Sequence, residues 1–213
     1  MNRSRVKIAG VVIALAAIAI CVAWLDRPIA SLSYEIFGHN YRLRAMTRSP
    51  SFFDASTLAI TLAFVGRRVA RATFARLDAA LIIGALSEIG TEQAVGALKI
   101  LLGRTWPLYH TPSFIIDGAY GFTFLQGGEA YESFPSGHSA SIAALLAVVW
   151  SFYPRLRGLG VLALLGIMAA LTLGDFHFLS DCIAGALVGC VLGDLLVRAI
   201  EPALVEALRA PSP

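Results

Sequence analysis

Apolar runs of bilayer length, parted by arginines, leave this chain few architectures. Residues 8–25 contain no charged side chain. A bilayer core takes about 20 residues of helix. Inside lipid every backbone N–H and C=O must find an internal partner, which restricts spans to helices or closed barrels. Predominantly apolar character also marks residues 52–66, 78–102, 139–153, 158–174 and 182–200. Continuous apolar runs fit helices, whereas membrane strands alternate. The chain is 57% hydrophobic and 15% charged, with a mean hydropathy of +0.73, against roughly 25% charged in soluble domains. The expected fold class is therefore all-α: an integral membrane six-helix bundle with an amphipathic segment on its outer surface.

The runs also suggest an organisation. Arg3, Arg5 and Lys7 precede the first run and Trp24 and Asp26 close it, so residues 1–26 read as an N-terminal transmembrane anchor. A cleaved signal peptide, cut at Ala17-Ile18-Ala19, is the competing reading. Residues 27–50 mix Arg27, Arg42, Arg44, Arg48 and Glu35 with Ile29, Leu32, Ile36 and Phe37 near helical spacing. That pattern fits an amphipathic surface segment, with an ordinary loop as the alternative. Residues 51–200 form the transmembrane core and 201–213 a cytoplasmic tail. The sixth run carries Gly185, Gly189 and Gly193 at four-residue spacing, a stripe that permits close helix packing. Cys21, Cys182 and Cys190 lie in apolar runs and read as small buried hydrophobes.

Basic residues set the orientation. With the N-terminus cytoplasmic, Arg3, Arg5, Lys7, Arg67, Arg68, Arg71, Arg76, Arg155, Arg157, Arg198 and Arg209 fall inside. Arg27, Arg42, Arg44, Arg48, Lys99 and Arg104 fall outside. Lys99, Arg104, Ser136–His138, His177 and Asp181 then share the outer face. A net charge of +3 is too small to suggest nucleic acid as a partner.

Three units at that face carry chemistry. Pro135-Ser136-Gly137-His138 fits a helix start: Ser136 can cap, Gly137 admits a ligand close to the backbone, and the first turn offers unpaired N–H groups to an anion. His138 adds a titratable group beside that anion. His177 and Asp181 stand at i and i+4, so the carboxylate can fix one ring nitrogen and leave the other as nucleophile or base. Lys99 and Arg104 are either interfacial cations that snorkel or ligands for phosphate oxygens. Glu88, Glu92 and Lys99 fall close to one face of the third span, as structural interhelical pairing or as a polar track behind the site.

Together these units resemble the type 2 phosphatidic acid phosphatase superfamily of membrane phosphatases, over about Leu77 to Ile200. The family pattern is K-x6-R-P, then P-S-G-H, then S-R-x5-H-x3-D. Lys99 and Pro107 match the first block, Pro135-Ser136-Gly137-His138 the second, and His177 and Asp181 the third. Trp106 stands where the first block has Arg, and Ala170-Leu171 where the third has Ser-Arg. The resemblance implies a six-helix bundle and a reaction with no cofactor and no metal. His177 would attack phosphorus and form a phospho-histidine, Asp181 would orient it, and His138 would protonate the leaving group and then activate water. Lys99, Ser136 and the Gly137 N–H would hold the phosphoryl oxygens. Arg104, two residues before the motif position, could replace the missing Arg if the helix unwinds before Pro107.

The resemblance implies a lipid phosphate or lipid diphosphate as substrate. The absent arginines point to a large lipid whose remote contacts compensate, such as an isoprenoid carrier or lipid A, or to transfer of a substituted phosphate between lipids. Loop 103–135, with Tyr109, His110, Asp117, Glu129 and Glu132, is expected to select the substrate. A metal site of Asp175, His177, Asp181 and His138, or a non-enzymatic phosphate-binding relative, are the other readings. The expected location is multi-pass in a bacterial inner membrane, with the site facing the periplasm.

Overall fold

A computed structural model of the chain describes residues 3–38, 51–70 and 76–209. The N-terminal helix is α1 (Arg3–Ile20), which passes through a π-helical turn (Cys21–Leu25) into α2 (Asp26–Phe37). The expected break after residue 26 is not a break in structure: Arg5–Phe37 reads as one apolar helix of 33 residues. Pro28 lacks an N–H, but it follows directly on the wider turn, where the pairing of the ladder is already altered. One face of α2 buries Asp26, Ala30 and Ser33, while Leu32 and Ile36 are exposed, which makes this helix amphipathic. Arg42, Arg44 and Arg48 of the proposed surface segment lie outside the described residues, as does Arg71.

The remaining helices are α3 (Ser51–Ala70), α4 (Arg76–Leu102), a short α5 (Phe114–Asp117), α6 (Gly137–Phe152), α7 (Arg157–Leu173) and α8 (Leu179–Arg209). Single 3₁₀ turns cover Glu129–Tyr131 and Pro154–Leu156. Among the described residues there are no strands, only isolated bridges in the loop between α4 and α6. The chain is an all-α membrane bundle. Arg5–Phe37, Pro154–Leu173 and Leu179–Ala203 are long and apolar enough to cross a bilayer, and Gly137–Phe152 is a shorter apolar helix. α8 runs on past residue 200, through Pro202, to Arg209.

The bundle is built around α6 and α8. A β-carbon at Gly185 would run into the carbonyl of Ser136, at Gly189 into that of Ala140, and at Gly193 into that of Ala144. The three glycines therefore let the two backbones touch, opposite Ala140, Ala144 and Ala147 of α6. The small-residue stripe serves packing, as its spacing suggested. Towards the other end, Ala79, Ile83, Val148, Phe152 and Val197 form an apolar cluster shared by α4, α6 and α8.

Charges on α4 sort by face. Glu88 is buried and accepts from Ser141 Oγ of α6 at 3.1 Å. Asp78 is buried against Arg67 of α3 at 2.9 Å. Glu92, expected beside Glu88, is exposed. Four residues advance a helix by about 40° beyond one full turn, which carries Glu92 off the buried stripe of Gly84, Glu88, Thr91 and Val95. Interhelical pairing therefore accounts for Glu88.

Candidate active site

The site assembles where α4 ends and α6 and α8 begin. Gly103 closes α4 with φ of 51° and donates its N–H to the Lys99 carbonyl at 2.9 Å, the left-handed stop that favours glycine. A side chain there would strike the backbone of Thr123. The chain unwinds at this point, before Pro107, and turns Arg104 inward. Backbone bonds from Arg104 N to Tyr131 O (2.6 Å) and from Ser133 N to Arg104 O (3.1 Å) then fold loop 103–136 over the helix ends.

Ser136 is the N-cap of α6: its Oγ accepts from Ser139 N at 3.4 Å, and the residue is fully buried. Gly137 and His138 are partly open, so they form the accessible part of this helix mouth. Ser136 N also donates to the Asp181 carbonyl at 3.0 Å, tying the start of α6 to the first turn of α8. Across that seam the His138 and His177 rings lie 6.4 Å apart between centroids.

His177 sits in the turn between α7 and α8, buried, with Nδ1 3.5 Å from Asp181 Oδ2. That separation is at the outer limit of hydrogen bonding. Nδ1 is buried and makes no hydrogen bond of ordinary geometry, so its tie to Asp181 is an electrostatic contact. Asp181 Oδ2 also accepts from Ser133 Oγ at 2.6 Å and from Phe178 N at 2.9 Å. Burial lowers the pKa of His177 below the usual histidine range, against the pull of Asp181, which favours the neutral ring.

Arg104, expected among the phosphate ligands, lies behind Asp181 with no exposed surface. Its Nη1 binds Asp181 Oδ1 and Ser180 Oγ, the latter at 2.6 Å. Its Nη2 binds Asp26 Oδ2 at 2.8 Å and Tyr120 OH at 3.0 Å. The rings of Phe178, Phe122, Tyr120 and Phe134 surround the guanidinium, 4.5–5.8 Å from it. Burial works against its charge, but Asp181 and Asp26 outweigh burial and hold its pKa above the usual arginine value. Burial, with Asp26 alongside, pushes the Tyr120 phenol up to about 12.

Lys99 remains at the open side. It is partly buried, its Nζ is 5.8 Å from the Trp106 ring centroid, and it lies within electrostatic range of Glu132, Asp181 and His177. Trp106 and Leu171, which occupy the two motif-arginine positions, pack into one cluster with Phe176 and Cys182. The Trp106 ring is 5.0 Å from His177 and 5.2 Å from Phe176. An apolar wall thus stands where cations were expected. Asp175 is buried with φ of 54°, a conformation aspartate tolerates better than most residues. No group of three His, Cys, Asp or Glu side chains among the described residues is arranged to hold a metal ion.

The structure therefore brings Lys99, Gly137, His138, His177 and Asp181 together, with Ser136 as the cap beneath them and Arg104 at the back. Sequence reading missed Asp26, Tyr120, Ser133 and Ser180. Only Asp26 carried a signal, a carboxylate placed directly at the end of an uncharged run.

Comparison with known proteins gives the family. Two curated relatives are both named lipid A 1-phosphatase. The protein of Rhizobium etli is 34% identical over 92 residues, which cover 43% of this chain and 38% of the relative. The protein of Rhizobium johnstonii is 33% identical over 92 residues, covering 43% of this chain and 36% of the relative. The chain thus spans well under half the length of either relative. No solved structure matches it significantly. The family model described as PAP2 superfamily matches residues 77–203, more than half of the chain. It takes in the end of α4, the start of α6 and the His177–Asp181 turn, and the chain belongs to the PAP2 superfamily.

Proposed function

We propose that this protein is a membrane lipid phosphatase that hydrolyses a phosphate monoester or diphosphate of a lipid through a phospho-histidine. The observation that carries the reading is the pinned Asp181. Held by Ser133, Phe178 N and Arg104, it faces Nδ1 of His177, while His138 stands across the seam. In the first step Nε2 of His177 forms a bond to phosphorus as the bond to the leaving oxygen breaks, and His138 gives that oxygen a proton. In the second step His138 takes a proton from water, water attacks phosphorus, and the P–N bond breaks. Lys99 and the Gly137 N–H hold the phosphoryl oxygens, with Ser136 capping the same turn. No step uses a metal or cofactor.

The substrate phosphate sits at the bilayer surface on the outer face, since eleven basic residues fall on the opposite side of the chain and six on this one. In a bacterium that face of the inner membrane is the periplasmic one. Both curated relatives carry the name lipid A 1-phosphatase, so lipid A is the first substrate to test. One observation favours a second reading, transfer of a substituted phosphate between lipids. The Trp106–Leu171–Phe176 wall beside His177 suits a phosphate with fewer charged oxygens.

The test is purified protein in detergent, with lipid A and a panel of lipid phosphates and diphosphates, with and without chelator. Thin-layer chromatography separates hydrolysis from transfer. Release that survives chelator and disappears in His177→Ala and His138→Ala is expected. No His177-dependent product from any lipid would remove both readings.

A further inference from the structure

Asp26 lies outside the segment matched by the family model, on the helix that the sequence presents as an anchor. It is nonetheless 1% exposed and bonded into the site. Its Oδ1 accepts from Ser180 N at 3.0 Å. Its Oδ2 accepts from Ser180 Oγ and from Arg104 Nη2 at 2.8 Å, with the Tyr120 oxygen 3.3 Å away. Tyr120 in turn donates to the Val22 carbonyl at 2.6 Å, inside the π-helical turn. The wider turn thus lies where the helix delivers this carboxylate.

Two physical effects follow. Ser180 N is one of the N–H groups that the start of α8 leaves unpaired, so Asp26 acts as an external cap on the turn that bears Asp181. The charges also balance unevenly. Arg104 meets two carboxylates, Asp26 and Asp181, leaving one negative charge in a buried network. Paired with Arg104 alone, Asp181 would be neutralised and would offer less to a ring that becomes cationic when it bonds to phosphorus. Lys99 and His138 face His177 from α4 and α6, and Arg27 and Cys21 border Asp26 on its own helix.

We propose that Asp26 is a positioning residue of the active site: by sharing Arg104 and capping α8 through Ser180, it keeps Asp181 negatively charged and aimed at His177. The proposal rests on His177 as the nucleophile of the proposed phosphatase. It makes the N-terminal helix part of the reaction rather than a tether.

The experiment compares wild type, Asp26→Asn, Asp26→Glu and His177→Ala in detergent, on one lipid phosphate, with fold checked by circular dichroism. It reads kcat, KM and the titration midpoint of His177 by 15N NMR of histidine-labelled protein, the resonance being assigned by its loss in His177→Ala. Asp26→Asn is expected to lower kcat about 10- to 100-fold with KM within about twofold. It should also move the His177 midpoint to lower pH, and Asp26→Glu should restore that midpoint. An Asp26→Asn protein with wild-type kcat and midpoint overturns the proposal, even if it melts earlier, because Asp26 then only ties the helix down. Should Asp26→Asn fail to fold, Asp26→Ser decides, since a hydroxyl keeps a hydrogen-bond partner for Ser180 without the charge: an unchanged His177 midpoint overturns the proposal, and a midpoint moved to lower pH supports it. If wild type gives no His177-dependent release but the midpoint still moves in Asp26→Asn, the phosphatase reading falls and the coupling of Asp26 to His177 stands.

Discussion

Replacing Arg104 by Met separates two roles for that side chain. Met keeps an apolar stem among Phe178, Phe122, Tyr120 and Phe134, so little packing is lost. What disappears is the one cation between Asp26 and Asp181, both fully buried. Removing one partner of a buried ion pair costs about 3–5 kcal/mol, because the remaining charge has no compensation. For a chain of this size each kcal/mol moves the melting temperature by about 2–4 °C, so the variant should melt about 6–20 °C lower. The assay is thermal unfolding in detergent, followed by intrinsic fluorescence, alongside kcat and KM on a lipid phosphate. Arg104 as a strut predicts the melting loss and a fall in kcat. Arg104 as a phosphate ligand predicts a raised KM at an unchanged melting temperature, and that result would refute the burial argument.

Two further outcomes follow from the same geometry. Gly189→Ala inserts a β-carbon against the Ala140 carbonyl and should cost about 1–3 kcal/mol with a parallel loss of activity, whereas Gly158→Ala, where a β-carbon meets nothing, should be neutral or stabilising by about 0.4–1 kcal/mol. Equal melting temperatures for the two would exclude backbone contact between α6 and α8. Burial lowers the pKa of His177, so its neutral form persists as pH falls through about 6.5. Protonating the unfolded chain first means stability drops as pH falls through that value. In a kcat/KM profile the limb belonging to His177 should lie below about pH 6.5, and a limb above it would show that burial does not govern this ring.

The parts legible in sequence share one property, a local period. Gly185, Gly189 and Gly193 repeat every four residues, so their packing face survives into the fold unchanged. Ser136 precedes its own helix, so its capping is fixed within one turn; His177 and Asp181 are four apart, but His177 stands in the bend before α8, so helical spacing alone does not set their contact. What failed needed contacts between distant segments. Asp26 and Ser180 are separated by 154 positions, and no periodicity connects them. Arg104 shows the boundary case. The unwinding before Pro107 was visible, but the direction of the guanidinium was decided by the φ of Gly103 and by a carboxylate on the first helix. Glu92 failed for a smaller reason, since 40° of helical rotation separates a buried stripe from a wet or lipid-facing one.

The glycine seam between α6 and α8 has a consequence beyond packing. Ser136 N reaches the Asp181 carbonyl, and the glycines behind it seat main chain on main chain. Backbone atoms have no rotamers to sample and carry no side-chain identity to mutate. The interval between His138 and His177 is therefore gauged like a machine part, by missing material rather than by added contacts. Heat, lipid composition and sequence drift can rework the outer surfaces of α1 and α7 without resetting that gauge.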